Sequence, residues 1–264
     1  MRWANLCTMQ KIVCNDCIKE MSTMSEKSVD VVITSPPYNL SISYNEYKDN
    51  LPLEEYLNWT KEVFINIKRV LKDDGSFFLN VGGTCKEPWR AYQVGHVAAQ
   101  EFVLQNDIAW IKSISIGNDL SYGHFKPINS ERFINQQYEH IFHFTKTGNV
   151  KVDKLAVGVA YTDKSNINRW KGKKIDRRCR GNTWFIPYET TQKKKKHPAG
   201  FPAKLPEQCI RLHGLRSDLV VLDPFLGAGS TLVACQKLNV QGIGIELDKD
   251  YCQMSQEMLE NDIV

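Results

Sequence analysis

The chain alternates short, nearly continuous apolar runs with longer stretches whose apolar residues recur at helical spacing. Residues 11–14 (KIVC) have strand length, and Ile18, Met21 and Met24 then follow about one helical turn apart. VDVVIT (29–34) is the kind of run that is buried on both faces of a parallel sheet. It stops at Ser-Pro-Pro-Tyr-Asn, because proline lacks a backbone donor and restricts the residue before it. Residues 40–52 are polar and loop-like. In 53–71, Leu57, Val63, Phe64, Ile67 and Leu71 trace one apolar helical face. Asp74-Gly75 predicts a turn and SFFLNV (76–81) a second buried strand. A helix is expected around 90–105, with strands over 107–112 and 138–146. After a break, 205–214 reads as a helix closed by Gly214, 218–223 as a strand, 230–238 as a helix, 240–246 as a strand and 250–261 as a last helix. This alternation predicts an α/β fold with a doubly wound, mostly parallel sheet.

The break is also where the charge gathers. Residues 146–196 hold 15 Lys and Arg against four acids, a local balance of +11 in a chain whose net charge is +4. The remainder is therefore −7, and a polyanion docking on this segment is the natural partner. The lysine run 193–196 reads equally well as a solvated loop. The chain accordingly divides into 1–146, a basic insertion over 147–196, and 197–264. With 264 residues and 42% hydrophobic content, one large domain with a modest insertion accommodates all of it. No run approaches the roughly 18 apolar residues of a membrane span. The first residues show no secretory signal, so an intracellular protein is expected. The eight cysteines are scattered. Cys14 and Cys17 form a single CxxC with no second pair, which predicts reduced, mostly buried thiols and no metal site. His140 and His143, in the strand-like YEHIFHF, should point to opposite faces of a sheet.

Two constellations carry chemistry. In DLVVLDPFLGAGSTLVAC a strand passes through a Gly-rich turn into a helix. Gly227 and Gly229 permit positive φ and close backbone approach, and the helix start beyond them, with Ser230 and Thr231, offers unpaired N–H groups to an anion. Asp223 opens the turn, and the next strand ends at Glu246, an acid placed to accept from ribose hydroxyls. The third glycine of a dinucleotide fingerprint and the GK[ST] of a phosphate loop are both missing. An adenosine with a carboxylate tail fits what remains, and S-adenosyl-L-methionine is such a molecule.

The second constellation is TSPPYN after the buried run. Ser35 supplies an acceptor for an amino group, and the carbonyl of Pro36 supplies another from a rigid turn shared with Pro37. Tyr38 supplies a ring on which an extruded base can stack, worth about 1–3 kcal/mol. Two acceptors drawing on an –NH₂ leave its lone pair facing a methyl donor, so catalysis is chiefly positioning.

On these residues the chain resembles the amino-group DNA methyltransferases, which make N4-methylcytosine or N6-methyladenine. SPPY (35–38) comes first, the basic segment follows and FLGAGST (225–231) comes last, an order similar to the β-class. The resemblance covers the chain outside 147–192. It implies a seven-stranded, Rossmann-like methyltransferase sheet, S-adenosyl-L-methionine as cofactor and double-stranded DNA as partner. A homodimer and a cognate restriction endonuclease are further partners compatible with it, and a membrane is not. Action on DNA places the protein in the cytoplasm or nucleoid of a bacterium, or in a eukaryotic nucleus.

Residue by residue, the resemblance assigns Ser35, Pro36, Pro37 and Tyr38 to catalysis. Asp223, Phe225, Gly227, Gly229 and Glu246 fall to the cofactor. Phe201, Pro202 and Lys204 in HPAGFPAKLPEQCI fall to its methionine end, and Asp16 to its adenine, where a helix cap is the competing role. Adenine-N6 members commonly have Asp where this chain has Ser35, which favours cytosine N4 over adenine N6. RNA or protein methylation is the reading from a different class: glutamine methyltransferases share a PPY-type motif but place the cofactor loop before it, and the intact motifs argue against a silent DNA-binding relative. Within the basic segment, Arg177, Arg178 and Arg180 are candidate phosphate or groove contacts and Asn182 a base-edge contact. RGNTWFIPYE reads alternatively as a strand returning to the core, and loop 40–52 as a flap over the flipped base.

Overall fold

The computed structural model describes residues 9–116, 120–123, 128–169, 175–187 and 200–261. Cys7 and the lysine run 193–196 lie outside them. In chain order the elements are β1 (Gln10–Cys14), α1 (Cys17–Thr23), β2 (Val29–Thr34), α2 (Leu53–Val70), β3 (Leu71–Val81), α3 (Arg90–Ala99), β4 (Val103–Ile111), β5 (Ile114–Ile116), β6 (Leu120–Tyr122), β7 (Tyr138–Thr145), β8 (Thr183–Phe185), α4 (Lys204–His213), β9 (Val220–Asp223), α5 (Ser230–Leu238), β10 (Gln241–Glu246) and α6 (Lys249–Asn261).

Local chemistry explains several boundaries. Asp16 caps α1 by accepting from the Lys19 amide at 2.9 Å. Helix α2 carries Glu54 and Glu55 in its first turn and Lys68 and Arg69 in its last, matching the helix dipole at both ends. Every residue of β2 is buried. Its one charged residue, Asp30, is satisfied by Lys72 at 2.8 Å, by Arg216 and by the Val220 amide at 2.9 Å.

Among the described residues the sheet has eight strands in the order β1-β10-β9-β2-β3-β7-β4-β8, with β5 and β6 forming a separate hairpin. The first five are parallel, β7 runs antiparallel to both neighbours, and β8 lies parallel to β4. Eight strands replace the expected seven because Thr183–Phe185, inside the basic segment, docks on β4 with Trp184 buried. The Asp74-Gly75 turn is a bulge within β3: Val29 faces Leu71 and Val31 already faces Ser76. Helix α3 ends earlier than expected and β4 starts at Val103. A register shift between Leu104 and Asn106 breaks the alternation that would have revealed that half of the strand.

Helices α1, α2 and α3 cover one face, where Phe64, Phe77, Phe102 and Phe144 pack with centroids 5.3–6.3 Å apart. Helices α4 and α5 cover the other face, together with Val157, Trp184 and Ile186 from the basic segment. Among the described cysteines all are free, but only Cys17, Cys209 and Cys235 are buried, whereas Cys14 and Cys179 are exposed. The expectation of mostly buried thiols fails because β1 is an edge strand and Cys179 sits on a surface loop.

Beneath the sheet, Ser76 Oγ lies 3.0 Å from His143 Nε2 and 2.9 Å from His213 Nδ1. Asn106 Nδ2 donates to His143 Nδ1 at 3.0 Å, so His143 Nε2 carries the hydrogen towards Ser76 and Ser76 donates to His213. His140 is on the opposite face, stacked on Phe142. Burial, then the neighbouring His213, lowers His143 to about 3; burial likewise lowers His213. Both are neutral when folded, so their contribution to stability is complete above pH 6.5 and is lost as pH falls below it. In NMR titrations His143 should show no midpoint between pH 7.5 and 4.5, and His213 a midpoint below 6.5. A His143 midpoint near 6.5 would contradict the buried relay.

Candidate active site

The switch point of the sheet lies between β2 and β9, where the chain leaves in opposite directions, and ligands bind beyond the carboxyl ends of strands at such a point. Both candidate motifs start there. The buried carboxylate of Asp223 at the end of β9 accepts from Thr34 Oγ1 (2.8 Å) at the end of β2, from Thr231 Oγ1 (2.6 Å) in α5 and from the Phe225 amide (3.1 Å). Burial raises its pKa to about 6 against the pull of these donors. In the turn that follows, Gly227 and Gly229 take φ of +55° and +94°, which side chains would resist. Glu246, at the end of β10, accepts from the Gly227 amide at 2.8 Å and the Asp248 amide at 3.0 Å. Burial raises its pKa.

After Thr34 the backbone turns through Ser35, Pro36 and Pro37. Tyr56 of α2 donates to the Pro37 carbonyl at 2.8 Å and braces the turn from behind. Asp49 accepts from the amides of Asn39, Leu40 and Ile42 at 2.7, 3.0 and 3.0 Å and folds the following loop. The Tyr38 hydroxyl lies 2.8 Å from Ser35 Oγ, 3.2 Å from the Asn80 carbonyl and 3.2 Å from Glu139 Oε2. Burial, then the Glu139 charge, raises its pKa well above 10, so the phenol keeps its hydrogen. That hydrogen goes to the Asn80 carbonyl or the Glu139 carboxylate, neither of which can donate. The Ser35 hydrogen must then point to Tyr38, leaving Ser35 Oγ as an acceptor.

One cavity of about 840 Å³ joins these parts. At one end it is lined by Asp16, Phe225, Gly227, Ser230, Glu246 and Leu247, and in the middle by Ser35, Pro36, Pro37 and Tyr38. At the other end stand Asn80, Trp110, Lys112, Ser113 and Glu139. Its volume holds a nucleoside-sized cofactor and a base together. The donor and acceptor set fits S-adenosyl-L-methionine: an acid at a strand end for a ribose, apolar walls for an adenine, and the free amides of the α5 start for a carboxylate.

The family model for DNA methylases matches residues 29–257. The chain belongs to this family. Its methyl donor is S-adenosyl-L-methionine. The type II methyltransferase M.HpaI of Haemophilus parainfluenzae is 27% identical over 96% of this chain and 75% of its own length. Among solved structures, the PvuII DNA methyltransferase (cytosine-N4-specific) superposes with a TM-score of 0.71 at 22% identity, over 97% of this chain and 91% of its own. The M1.HpyAVI–SAM complex gives 0.57 at 23%, over 95% and 100%.

In this DNA methylase, not every residue singled out from the sequence reaches the cavity. Asp16 lines it and also caps α1. Phe201 lines it, but Pro202 and Lys204 do not, and the Lys204 ammonium is 3.0 Å from Glu207 in the first turn of α4. Asp223, Gly229 and Thr231 lie behind the wall, where Asp223 holds two strand ends and α5 together. Loop 40–52, expected as a flap over a flipped base, contributes Leu40, Ile42, Tyr44, Glu46 and Tyr47 to the cavity lining, and its Asn45 faces α6 residues Asp250 and Met254 across a smaller cavity. In the basic segment, Arg177 bonds the carbonyls of Leu155 and Ala156 at 3.2 Å, and Arg180 bonds Gln208 at 2.7 Å. Asn182 Nδ2 bonds the Asp107 carbonyl at 2.8 Å, while Arg178 is exposed.

Asn80, Lys112, Ser113 and Glu139 escaped the sequence reading. The signal was there, as polar residues inside or just after otherwise apolar strands, but only the fold brings three strands to one cavity. Replacing Asp223 by Ala strands two buried hydroxyls and an amide, and should cost about 2–4 kcal/mol in urea denaturation. Asn should cost less, because hydroxyls can reverse their hydrogen bonds. Equal, small losses for both would show that Asp223 does not join the motifs.

Proposed function

We propose that the protein methylates the exocyclic N4 amine of cytosine in DNA, on a base rotated out of the duplex. What carries this reading is Ser35 Oγ, left as an acceptor by the Ser35–Tyr38–Glu139 hydrogen-bond chain and facing the cavity. Ser35 Oγ and the Pro36 carbonyl accept hydrogen bonds from the two amine hydrogens and turn the nitrogen lone pair towards the cofactor end, and the one proton the nitrogen sheds on methylation passes to water. The Tyr38 ring supports the base. S-adenosyl-L-methionine supplies an electrophilic sulfonium methyl. Glu246 takes its ribose, Asp16 and Phe225 flank its adenine, and Gly227, Ser230 and Phe201 line its methionine end. Asp223, Gly229 and Thr231 hold that loop in shape from behind. A serine at position 35, where adenine-N6 relatives commonly carry Asp, favours cytosine, and the structural neighbour from the PvuII system is itself described as cytosine-N4-specific.

Arg177, Arg178, Arg180 and Asn182 form the DNA-facing side of the basic segment. The Arg177 and Arg180 head groups also brace its loops, so Arg178 is the cleanest probe.

Nucleoside mass spectrometry on unmethylated DNA incubated with the protein and S-adenosyl-L-methionine should show N4-methylcytosine, with Ser35→Ala slower by about tenfold or more. N6-methyladenine as the sole product would refute the cytosine assignment while keeping the enzyme class. Arg178→Ala should weaken DNA binding and reduce the slope of log K against log salt by about 1. An unchanged slope would remove Arg178 from the DNA interface.

A further inference from the structure

The far end of the cavity carries donors that the amine-binding turn does not use. Lys112 and Ser113 follow the end of β4, and both line the cavity. The Lys112 amide donates to the Gln137 carbonyl at 2.8 Å, and its ammonium lies 2.6 Å from Glu139 Oε1 and 5.8 Å from the centroid of the Trp110 ring. Trp110 is itself fixed by its indole N–H, which donates to the Ile186 carbonyl at 2.9 Å. An ammonium has three hydrogens, so the Glu139 contact leaves donors to spare. Ser113 is fully buried, yet its hydroxyl has no hydrogen-bond partner among the described residues. A buried, unpaired hydroxyl on a cavity wall is costly until a ligand acceptor meets it.

The groups also run in an informative order. Ser35 contacts Tyr38, Tyr38 contacts Glu139, Glu139 holds Lys112, and Ser113 is next in the chain. Cytosine presents N4, N3 and O2 in succession along one edge: an amine followed by two acceptors. Adenine presents N6 and N1, then a C–H. We infer that Lys112 and Ser113 read the target base, Lys112 donating to N3 and Ser113 to O2 of the flipped cytosine. This rests on the cytosine-N4 reading above. Glu139 neutralises Lys112, so N3 is bound without placing a net positive charge beside the amine whose lone pair must attack. Adenine in the same place would meet Ser113 with a C–H and leave the hydroxyl unpaired, a loss of about tenfold or more.

The test uses the full chain, unmethylated DNA to find the modified site, and then an oligonucleotide carrying that site with either cytosine or 2-thiocytosine, whose sulfur is a poor acceptor. Ser113→Ala and Lys112→Met should each slow methylation at least about tenfold, with S-adenosyl-L-methionine affinity by calorimetry unchanged within about twofold. Ser113→Cys, matched in volume but a weak donor, should behave like the Ala variant. The parent should lose about tenfold on 2-thiocytosine, whereas Ser113→Ala should lose less than about twofold, because its partner for that atom is already gone. Variants that methylate cytosine at the parent rate, or a 2-thiocytosine penalty undiminished in Ser113→Ala, would overturn the inference and leave the cytosine reading standing. A parent that makes only N6-methyladenine would overturn both, since adenine has no O2.

Discussion

Everything at the active end of the molecule hangs on the Asp223 carboxylate. It is buried at an energetic cost, visible in a pKa raised to about 6, and it is held there by Thr34, Thr231 and the Phe225 amide. Those three groups belong to the strand that leads into Ser-Pro-Pro-Tyr, to the helix after the Gly-rich turn, and to the turn itself. Two segments some 190 residues apart in sequence are thereby tied at their strand ends, beyond the backbone pairing of β2 with β9 that stops at Val32 and Leu222. A methyl transfer by in-line attack needs that precision, because a small misplacement of the nitrogen relative to the donor carbon forfeits much of the rate.

A second feature gives the site its polarity. Serine can donate or accept, and its direction is decided by what surrounds it. Here the chain from Ser35 through Tyr38 ends on an acceptor-only carbonyl and a carboxylate, so each hydroxyl hydrogen points along the chain and Ser35 Oγ keeps its lone pairs for the cavity. The same carboxylate secures the Lys112 ammonium at the far end of the cavity. Glu139 thus connects Ser35, through Tyr38, with Lys112, from a strand that contributes to neither motif.

The basic segment shows how charge and packing divide the work of one stretch of chain. Its net charge suits a polyanion, but Val157, Trp184 and Ile186 are built into the core, and β8 extends the sheet. Arg177, Arg180 and Asn182 each hold a carbonyl or amide of the protein itself. The segment is therefore anchored to the catalytic domain rather than hung from it, which places Arg178 at a defined position relative to the cavity.

The sequence by itself determined the alternation of strands and helices, the doubly wound parallel sheet, and the two motifs at strand ends. Each rests on local chemistry: apolar runs make buried strands, prolines end them, and glycines permit the turn before α5. It also marked the alternate face of YEHIFHF. It offered β8 only as one of two readings of RGNTWFIPYE, since three residues carry too little pattern to decide, and it did not show that a bulge in β3 would absorb Asp74-Gly75. Only the tertiary structure decided which polar residues face the cavity. Asn80, Lys112, Ser113 and Glu139 sit in or beside three different strands, and Lys204 turns away to Glu207. Periodicity is a property of one segment, whereas a binding wall is made where the register of several strands brings single residues together.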